Sequence, residues 1–400
     1  MRLDAALAEL AARFTSLSDT PALEAQVLLA QVLHKPRAWV LAHPEAELSP
    51  VQLEDIETSA ARRESGEPLP YILGHWEFYA LDFLVTPSVL IPRPETELLV
   101  AHALDWLHRH PTYRRVADVG SGSGCIAITL AKHIPDLQVL ATDLSPQALE
   151  LAQQNAARHA VAERITFIQA NLLALPGMIP TQPFDLMAAN LPYIPTATLL
   201  ELPVSRYEPR LALDGGEDGL GLIRRLLPQA AAYLSPGGCL LLEIEAGQGD
   251  ATRALAQAAF PHARVTVVPD LAGHDRLVSV ELPDEDQRQY LVHLCSRAAW
   301  QAAQDAGSYQ PPSLAAEGFI HLSLPDQILK VANTFYRGLA EAVLLWIDPT
   351  CLQAALRWEA ADADVFPHLY GALNLDAVVA VNVLAPDADG YFRNVNLVYN

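Results

Sequence analysis

The sequence has few basic residues, and this shortage limits the partners that the protein can have. Its 400 residues include 26 Lys and Arg against 47 Asp and Glu, which gives a formal net charge of −21. Proteins that bind the nucleic-acid backbone rely on Lys and Arg to neutralise phosphates. The acidic balance therefore argues against direct binding of nucleic acid and favours small molecules or basic proteins as partners.

Cysteine is scarce as well, and its spacing excludes the common uses of cysteine pairs. No two of the four cysteines form a CxxC pair, since they stand at Cys125, Cys239, Cys295 and Cys351. Zinc sites and the disulfide frameworks of secreted domains show close, regular cysteine spacings. We therefore expect four free thiols in a reducing compartment and no metal site.

Long apolar runs are also missing, and this argues against a membrane-spanning helix. No segment reaches the roughly 18 uninterrupted apolar residues that indicate a membrane-spanning helix. The first residues, MRLDAALAELAARF, place apolar side chains at helical spacing with charges between them, unlike a signal peptide. The expectation is a cytoplasmic protein with no membrane partner.

The first part of the chain has the pattern of a helical bundle. Apolar residues recur at helical spacing through the first 65 residues, and Ser49 with Gln52 forms the sequence of a capping box. We predict a helical domain over residues 1–75. A short β-like stretch broken by prolines predicts a hairpin linker with an entry helix over 76–114.

From about Arg115 the pattern alternates between short apolar strands and helices. Such alternation predicts a parallel sheet with helices on both faces, which we place at 115–283. An acidic break follows at Pro283 to Gln287, and the alternation does not resume. Residues 288–400 are long enough for a separate α+β domain. Within it we expect a turn at Gly307-Ser308-Tyr309.

A glycine-rich turn follows the first strand of the alternating region. It comes between a buried strand and a helix, and it reads Gly120-Ser121-Gly122-Ser123-Gly124. Glycine lets the backbone approach a ligand, and a helix N-terminus offers unpaired N–H groups. Asp143 ends the next strand, where a carboxylate can accept hydrogen bonds from ribose hydroxyls. These residues indicate a nucleotide-like cofactor, and on their own they leave NAD(P) open.

A second loop indicates the acceptor. It follows an apolar strand at the sheet edge where α/β proteins bind ligands, and it reads Asn190-Leu191-Pro192-Tyr193. The Asn190 side-chain oxygen and the Leu191 carbonyl can each accept a hydrogen bond from one N–H of an –NH2 group. Tyr193 offers a flat aromatic face against the amide. Holding both hydrogens orients a poorly nucleophilic nitrogen without a strong base. Together the two loops indicate methyl transfer from S-adenosylmethionine onto nitrogen.

At this point the sequence resembles a known family, the release factor glutamine N5-methyltransferases, also called the PrmC or HemK family. The resemblance covers about residues 1–282. Besides the two loops and Asp143, it rests on blocks that include Trp76-Glu77-Phe78, Leu90-Ile91-Pro92-Arg93-Pro94-Glu95-Thr96-Glu97, Tyr207-Glu208-Pro209-Arg210, Asp214-Gly215-Gly216-Glu217-Asp218-Gly219-Leu220 and Asp270-Leu271-Ala272-Gly273-His274-Asp275-Arg276.

The resemblance implies a fold, a cofactor and a substrate. The fold is α/β, with an N-terminal helical bundle and a Rossmann-like class I methyltransferase sheet, here followed by the α+β domain. The cofactor is S-adenosylmethionine, held by the glycine turn, Asp143, Asn190 and a pair near the adenine, Asn171-Leu172. The substrate is the Gly-Gly-Gln glutamine of class I peptide chain release factors, gripped in part by the helical bundle.

The sequence departs from that family at two positions. Leu191 stands where the first proline of Asn-Pro-Pro-Tyr is usual, which puts the rigidity of the loop in question. Asn171 stands where an acidic residue is usual, and its side-chain oxygen can still accept a hydrogen bond from an adenine amino group. Two alternatives remain: an enzyme that methylates the exocyclic amine of adenine, and a non-catalytic cofactor-binding module for a partner protein.

The last 113 residues resemble a different family, a bacterial domain of unknown function called DUF952. The supporting blocks include Glu317-Gly318-Phe319-Ile320-His321-Leu322-Ser323 and Phe366-Pro367-His368-Leu369-Tyr370-Gly371. His293, His321 and His368 with Ser323 and Tyr370 can line a polar pocket. The alternative, which we favour, is that these histidines are structural side chains with satisfied hydrogen bonds. No reaction is predicted for this domain.

Overall fold

The chain forms two compact units, Met1–Leu282 and Pro283–Asn400. The computed structural model describes residues 1–175, 183–283, 290–339, 342–361, 364–387 and 389–393. Most of the predicted acidic break after Pro283 lies outside these residues. None of the helices in the described ranges is long and apolar enough to cross a membrane.

The N-terminal region is a bundle of helices, as predicted. Its helices are α1 Leu3–Phe14, α2 Pro21–Leu33, α3 Arg37–Ala42, α4 Pro50–Glu64 and α5 Leu69–Leu73. The capping box forms at the start of α4: Gln52 N donates to Ser49 Oγ (3.3 Å) and Ser49 N donates to Gln52 Oε1 (2.9 Å). These bonds satisfy two backbone donors that a helix start leaves unpaired.

A hairpin and one helix connect the bundle to the sheet. The hairpin consists of β1 His75–Phe78 and β2 Leu81–Leu84, and the helix is α6 Thr96–Arg109. Tyr79 and Ala80 make the two-residue turn, both with positive φ (50° and 58°). The hairpin is shorter than the pattern up to Ile91 suggests, because the prolines after it supply no N–H groups for a strand ladder.

The central sheet has seven strands in the order β5-β4-β3-β6-β7-β9-β8. Its elements are β3 Arg115–Val119, α7 Cys125–His133, β4 Gln138–Asp143, α8 Pro146–Arg158, β5 Ile165–Gln169, β6 Phe184–Ala189, α9 Thr196–Leu199, α10 Gly221–Tyr233, β7 Leu234–Glu243, α11 Gly249–Ala259, β8 Arg264–Pro269 and β9 Asp275–Glu281.

Alternate residues of the strands pack into apolar cores on opposite faces of this sheet. In β6, Leu186 and Ala188 join one buried cluster, while Met187 and Ala189 join the other. The predicted α/β fold is confirmed, with one correction. The sheet is not wholly parallel, since β9 runs antiparallel to both β7 and β8. The short loop between β8 and β9 can join only antiparallel neighbours, because a parallel crossover needs a dozen residues or more.

The strand order reverses beside β3. The chain moves from β3 outwards through β4 to β5, then returns to place β6 on the other side of β3. Ligands of open α/β sheets bind at the carboxyl ends of the strands where the order reverses. The glycine turn after β3 and the acceptor loop after β6 both lie at this point.

In its described residues, the second unit contains short helices and three small antiparallel sheets. Its elements are β10 Leu291–Ser296, α12 Arg297–Ala306, β11 Ser308–Tyr309, α13 Pro312–Glu317, β12 Ile320–His321, α14 Ile328–Phe335, β13 Ala342–Ile347, β14 Ala355–Ala361, β15 Asp364–Tyr370, β16 Leu373–Asn374 and β17 Val378–Leu384. The sheets are β10-β13-β17, β12-β15-β14 and β11-β16. The predicted turn is confirmed at Gly307, which caps the end of α12 with a φ of 77°, but it is wrong for Ser308 and Tyr309, which pair with Asn374 and Leu373.

Candidate active site

A cavity of about 530 Å³ opens at the carboxyl edge of the sheet, where the strand order reverses. Its volume falls within the range of small-molecule sites. Both sequence motifs contribute to its wall. The predicted site residues in the lining are Gly120, Ser121, Gly122, Ser123, Asp143, Asn171, Leu172, Asn190, Leu191 and Pro192. Gly124 and Tyr193 are not part of that lining.

The glycine turn is fixed to the neighbouring strand and touches the acceptor loop. The N–H groups of Gly120 and Ser121 both donate to the Thr142 carbonyl, at 2.8 and 2.9 Å. Gly120 has a φ of 78°, a conformation that L side chains rarely adopt, and a Cβ there would lie 2.9 Å from Leu191 Cδ2. Only glycine therefore fits where the turn meets Leu191.

Gly124 has a different task from the glycines before it. It precedes α7 with a φ of 83°, and a Cβ there would come within 2.8 Å of Ile128 Cδ1 and 3.1 Å of Ala152 Cβ. The residue thus permits close packing of α7 against α8. The structure places it behind the cavity wall.

Asp118, at the end of β3, braces the turn from inside. Its side chain is fully buried, and Oδ2 accepts hydrogen bonds from Ser121 Oγ (2.8 Å) and Ala127 N (3.2 Å). Burial raises the pKa of Asp118 to about 6. The side chain links the turn to the first turn of α7.

Asp143 lies at the end of β4, beside the turn. Oδ2 accepts a hydrogen bond from Gly122 N and Oδ1 accepts one from Ser145 N, each at 2.8 Å. Burial raises the pKa of Asp143, and these backbone donors oppose the rise. Each carboxylate oxygen can accept a further hydrogen bond. The side chain is therefore held in place and retains the capacity to accept from a diol.

Asn171 and Leu172 form another part of the wall. Asn171 is exposed, and its Oδ1 accepts a hydrogen bond of 2.7 Å from Arg225 Nη2, a residue that also lines the cavity. An amide oxygen has two lone pairs, so it can accept a second donor. Leu172 is buried with a φ of 58°.

Asn190 is oriented by a residue distant in the sequence. Its Nδ2 donates a hydrogen bond of 2.9 Å to Oγ1 of Thr96, the first residue of α6. Because the amide nitrogen is engaged there, the opposite atom of the amide, Oδ1, is the one turned away from Thr96. Asn190 thus offers an acceptor atom within a cavity wall.

The rest of the acceptor loop is locked by close backbone contacts. The Tyr193 carbonyl accepts a hydrogen bond of 2.9 Å from Gln248 Nε2. A Cβ on Gly219 would lie 2.1 Å from that carbonyl oxygen, and a Cβ on Gly215 would lie 2.8 Å from the Pro192 oxygen. Burial raises the pKa of the Tyr193 phenol to about 12, so it stays protonated at neutral pH.

Several polar residues of this region carry no role that the sequence alone indicates. Thr96 and Arg93 both line the cavity, and Arg93 Nη2 donates a hydrogen bond of 2.6 Å to the buried Glu208 Oε1. Arg93 and Glu208 belong to blocks that carried the family resemblance, so a signal was present without a stated role. Glu243 is the last residue of β7 and Gln248 follows that strand. Neither belongs to a motif that the sequence revealed.

Both ring nitrogens of His293 are engaged in hydrogen bonds within the second unit. His293 is buried, its Nδ1 bonds to the His321 carbonyl (2.7 Å), and its Nε2 bonds to the Tyr309 hydroxyl (2.9 Å). Burial lowers the pKa of His293 to about 4, so the ring is neutral. Within the described part of the unit it is a satisfied structural side chain.

A second set of aromatic and acidic side chains lies together on β12, β14 and β15. His368 Nδ1 bonds to Glu359 Oε2 (2.6 Å), and the Tyr370 hydroxyl donates to Glu359 Oε1 (2.7 Å). The rings of His321 and His368 meet edge to face, 5.0 Å apart. Ser323 is joined to Val292 by backbone hydrogen bonds.

Comparison with known proteins gives matches to both units. Three family models match: the PrmC N-terminal domain over residues 5–74, a methyltransferase domain over 116–202, and a protein of unknown function (DUF952) over 294–381. The chain is 48% identical over 260 residues to the release factor glutamine methyltransferase of Moorella thermoacetica, a match covering 64% of this chain and 90% of that protein.

Two solved structures are also similar in sequence to parts of the chain. The protein-(glutamine-N5) methyltransferase of Alicyclobacillus acidocaldarius is 32% identical, covering 50% of this chain and 99% of that chain, with a TM-score of 0.32. A protein of Caulobacter crescentus is 37% identical, covering 26% of this chain and 93% of that chain, with a TM-score of 0.25.

Proposed function

Because the chain belongs to the release factor glutamine methyltransferase family, we propose that it methylates the side-chain amide nitrogen of the Gly-Gly-Gln glutamine in class I peptide chain release factors. The methyl donor in this proposal is S-adenosylmethionine. One observation carries the proposal beyond family membership: the glycine turn with Asp143 and the acceptor loop line the same cavity.

The residues around the turn suit this cofactor. The left-handed glycines bring the backbone to the cavity wall without side chains, and Asp143 retains acceptor capacity for ribose hydroxyls. Asn171 Oδ1 can accept from the adenine amino group while it keeps its bond to Arg225. When bound, the cofactor supplies an electrophilic methyl group on a sulfonium.

The acceptor loop positions the nitrogen that receives the methyl group. Asn190 Oδ1 and the Leu191 carbonyl each accept a hydrogen bond from one N–H of the substrate amide. An amide nitrogen is a poor nucleophile because its lone pair is delocalised into the carbonyl. Fixing both hydrogens directs the nitrogen and favours its pyramidal form, so that positioning and electrostatics supply most of the rate gain.

Mass spectrometry of a purified release factor tests the proposal. The factor is incubated with the full chain and S-adenosylmethionine, then digested and sequenced. We expect a mass gain of one methyl group in place of hydrogen on the Gly-Gly-Gln glutamine. Methylation of DNA or RNA adenine in a parallel incubation, with none on the release factor, would contradict the proposal.

A further inference from the structure

A buried acidic side chain lies behind the acceptor loop. Glu243 ends β7 and follows Leu242, which pairs with Ala189 of β6, so Glu243 and Asn190 are neighbours at the carboxyl ends of adjacent parallel strands. Glu243 is 2% exposed and is not part of the cavity lining. Within the described chain, neither carboxyl oxygen has a hydrogen-bond partner. Burying a carboxyl in this way is costly, which points to a task that justifies it.

Two donors stand beside this carboxyl. The Thr96 hydroxyl and the Asn190 side chain both act to lower the pKa of Glu243, although neither reaches full hydrogen-bond geometry with it. Thr96 Oγ1 already accepts the hydrogen bond from Asn190 Nδ2. Its own hydroxyl hydrogen is thus available for the carboxylate, and the three side chains form a series from Asn190 through Thr96 to Glu243.

We propose that Glu243 is a positioning residue of the acceptor site: as a carboxylate it draws the Thr96 hydroxyl and the Asn190 amino group towards itself, so that Asn190 Oδ1 faces the acceptor nitrogen. The inference rests on the proposed function. A carboxylate can only accept hydrogen bonds, whereas a protonated carboxyl or an amide also donates. A donor at this position favours the reversed amide, which would turn an –NH2 group towards the substrate –NH2.

Burial brings the ionisation of Glu243 into the neutral range, and the charged groups around it adjust its pKa. Burial is the largest influence and raises its pKa to about 7; Glu95 adds to the rise, while Arg276 of β9 opposes it. Burial is the main cause of the raised pKa of the Tyr193 phenol and of the Cys125 thiol, and Glu243 adds to both rises. Neither of those groups ionises near pH 7, so Glu243 is the member of this group whose charge changes there.

The test compares Glu243→Gln with Glu281→Gln in the full chain. Glu281 lies on β9 and is bonded to Arg264, so the control makes the same chemical change in the same sheet. We expect Glu243→Gln to lower kcat by about tenfold or more while the Kd for S-adenosylmethionine stays within about threefold. The control should retain its kcat. For the unaltered chain kcat should rise as pH increases through about 7, and Glu243→Gln should lose that rise.

Two further readouts separate positioning from a structural role. Glu243→Asp restores an acceptor-only group and should recover part of the lost kcat. Thermal unfolding at pH 8 should show Glu243→Gln at least as stable as the unaltered chain. Unchanged kcat in Glu243→Gln, or equal losses of kcat, cofactor affinity and stability, would overturn the inference. No turnover by the unaltered chain would instead overturn the proposed function, and this inference with it.

Discussion

Individual side chains at the cavity are held by hydrogen bonds that leave part of their acceptor capacity available for a ligand. Asn190 uses Nδ2 for Thr96, and Asp143 uses one lone pair of each oxygen for backbone N–H groups. The sequence shows which residue types stand at the strand ends. It does not show Thr96 as the partner of Asn190, because 94 residues separate them and only folding brings them together.

Replacing Asn190 tests the acceptor site. Asn190→Ala removes the side-chain oxygen that accepts a substrate N–H, so we expect kcat to fall by about a hundredfold or more, as for loss of one preorganised polar contact. Cofactor binding should stay within about tenfold, since the residue acts on the acceptor. Initial rates and calorimetry provide the measurement. A variant that keeps most of its turnover would show that the acceptor lies elsewhere.

Replacing Asp143 tests the cofactor site. Asp143→Ala removes a charged acceptor, and hydrogen bonds to charged groups contribute about 1.5–3 kcal/mol, so the Kd for S-adenosylmethionine should rise by roughly tenfold to a hundredfold. Asp136→Ala is the matched control, because Asp136 is an exposed carboxylate just before the other end of β4. Equal affinities of the two variants would contradict the assignment of Asp143.

The pKa of Glu243 also predicts how stability depends on pH. It rises from 4.5 in its ordinary state to about 7 in the folded protein. The protonated side chain therefore stabilises the fold fully below about pH 4.5, and this stabilisation is lost as the pH rises through about 7. The difference in unfolding free energy between Glu243→Gln and the unaltered chain should therefore shift in favour of the variant by up to ~3 kcal/mol from pH 5 to pH 8. Chemical denaturation at both pH values measures this difference, and parallel pH dependences would contradict it.

At the scale of elements, the acceptor loop is packed closely against other segments although Leu191 stands in place of the usual proline. Leu191 is 4% exposed and packs against the glycine turn, while the loop carbonyls contact Gly215, Gly219 and Gln248. The departure from the family pattern suggested a looser loop. Packing from three other segments restrains it instead, and no local pattern in the sequence reveals contacts of that kind.

A pair of glycine substitutions tests this packing. Gly219→Ala would place a Cβ 2.1 Å from the Tyr193 oxygen and should displace the acceptor loop, lowering kcat by about tenfold or more. Gly216→Ala has a similar left-handed φ (+90°) but its nearest neighbour is 4.0 Å away, so it should cost only backbone strain of about 1 kcal/mol. Turnover and denaturation of both variants separate the two effects. Similar turnover in both would show that strain, not the clash, decides.

At the scale of the whole molecule, the proposed methylation belongs to the first unit. Residues 1–282 form a compact unit, and the match to the Moorella thermoacetica relative covers 90% of that protein with 64% of this chain. The predicted domain boundaries remain predictions, and no role is assigned to residues 288–400. The His321, His368 and Glu359 group is a feature of the second unit alone.

Truncation tests this division. A chain that ends at Leu282 keeps all seven strands of the central sheet and should methylate the release factor within about threefold of the full chain. A chain that ends at Pro269 lacks β9, which lies between β7 and β8, and should not fold cooperatively because β8 then has no partner strand. Circular dichroism and turnover provide the measurements. Loss of methylation by a folded 1–282 chain would show that the second unit takes part.

The sequence by itself determined the order of helices and strands, the α/β class and the positions of both loops, because periodicity, caps and glycine turns are local properties. Tertiary structure decided three further features. It paired β9 between β7 and β8; it placed Thr96 and Glu243 behind Asn190; and it joined the His293 ring to the His321 carbonyl and the Tyr309 hydroxyl. Each depends on which distant segments meet in space, and a local pattern carries no information on such contacts.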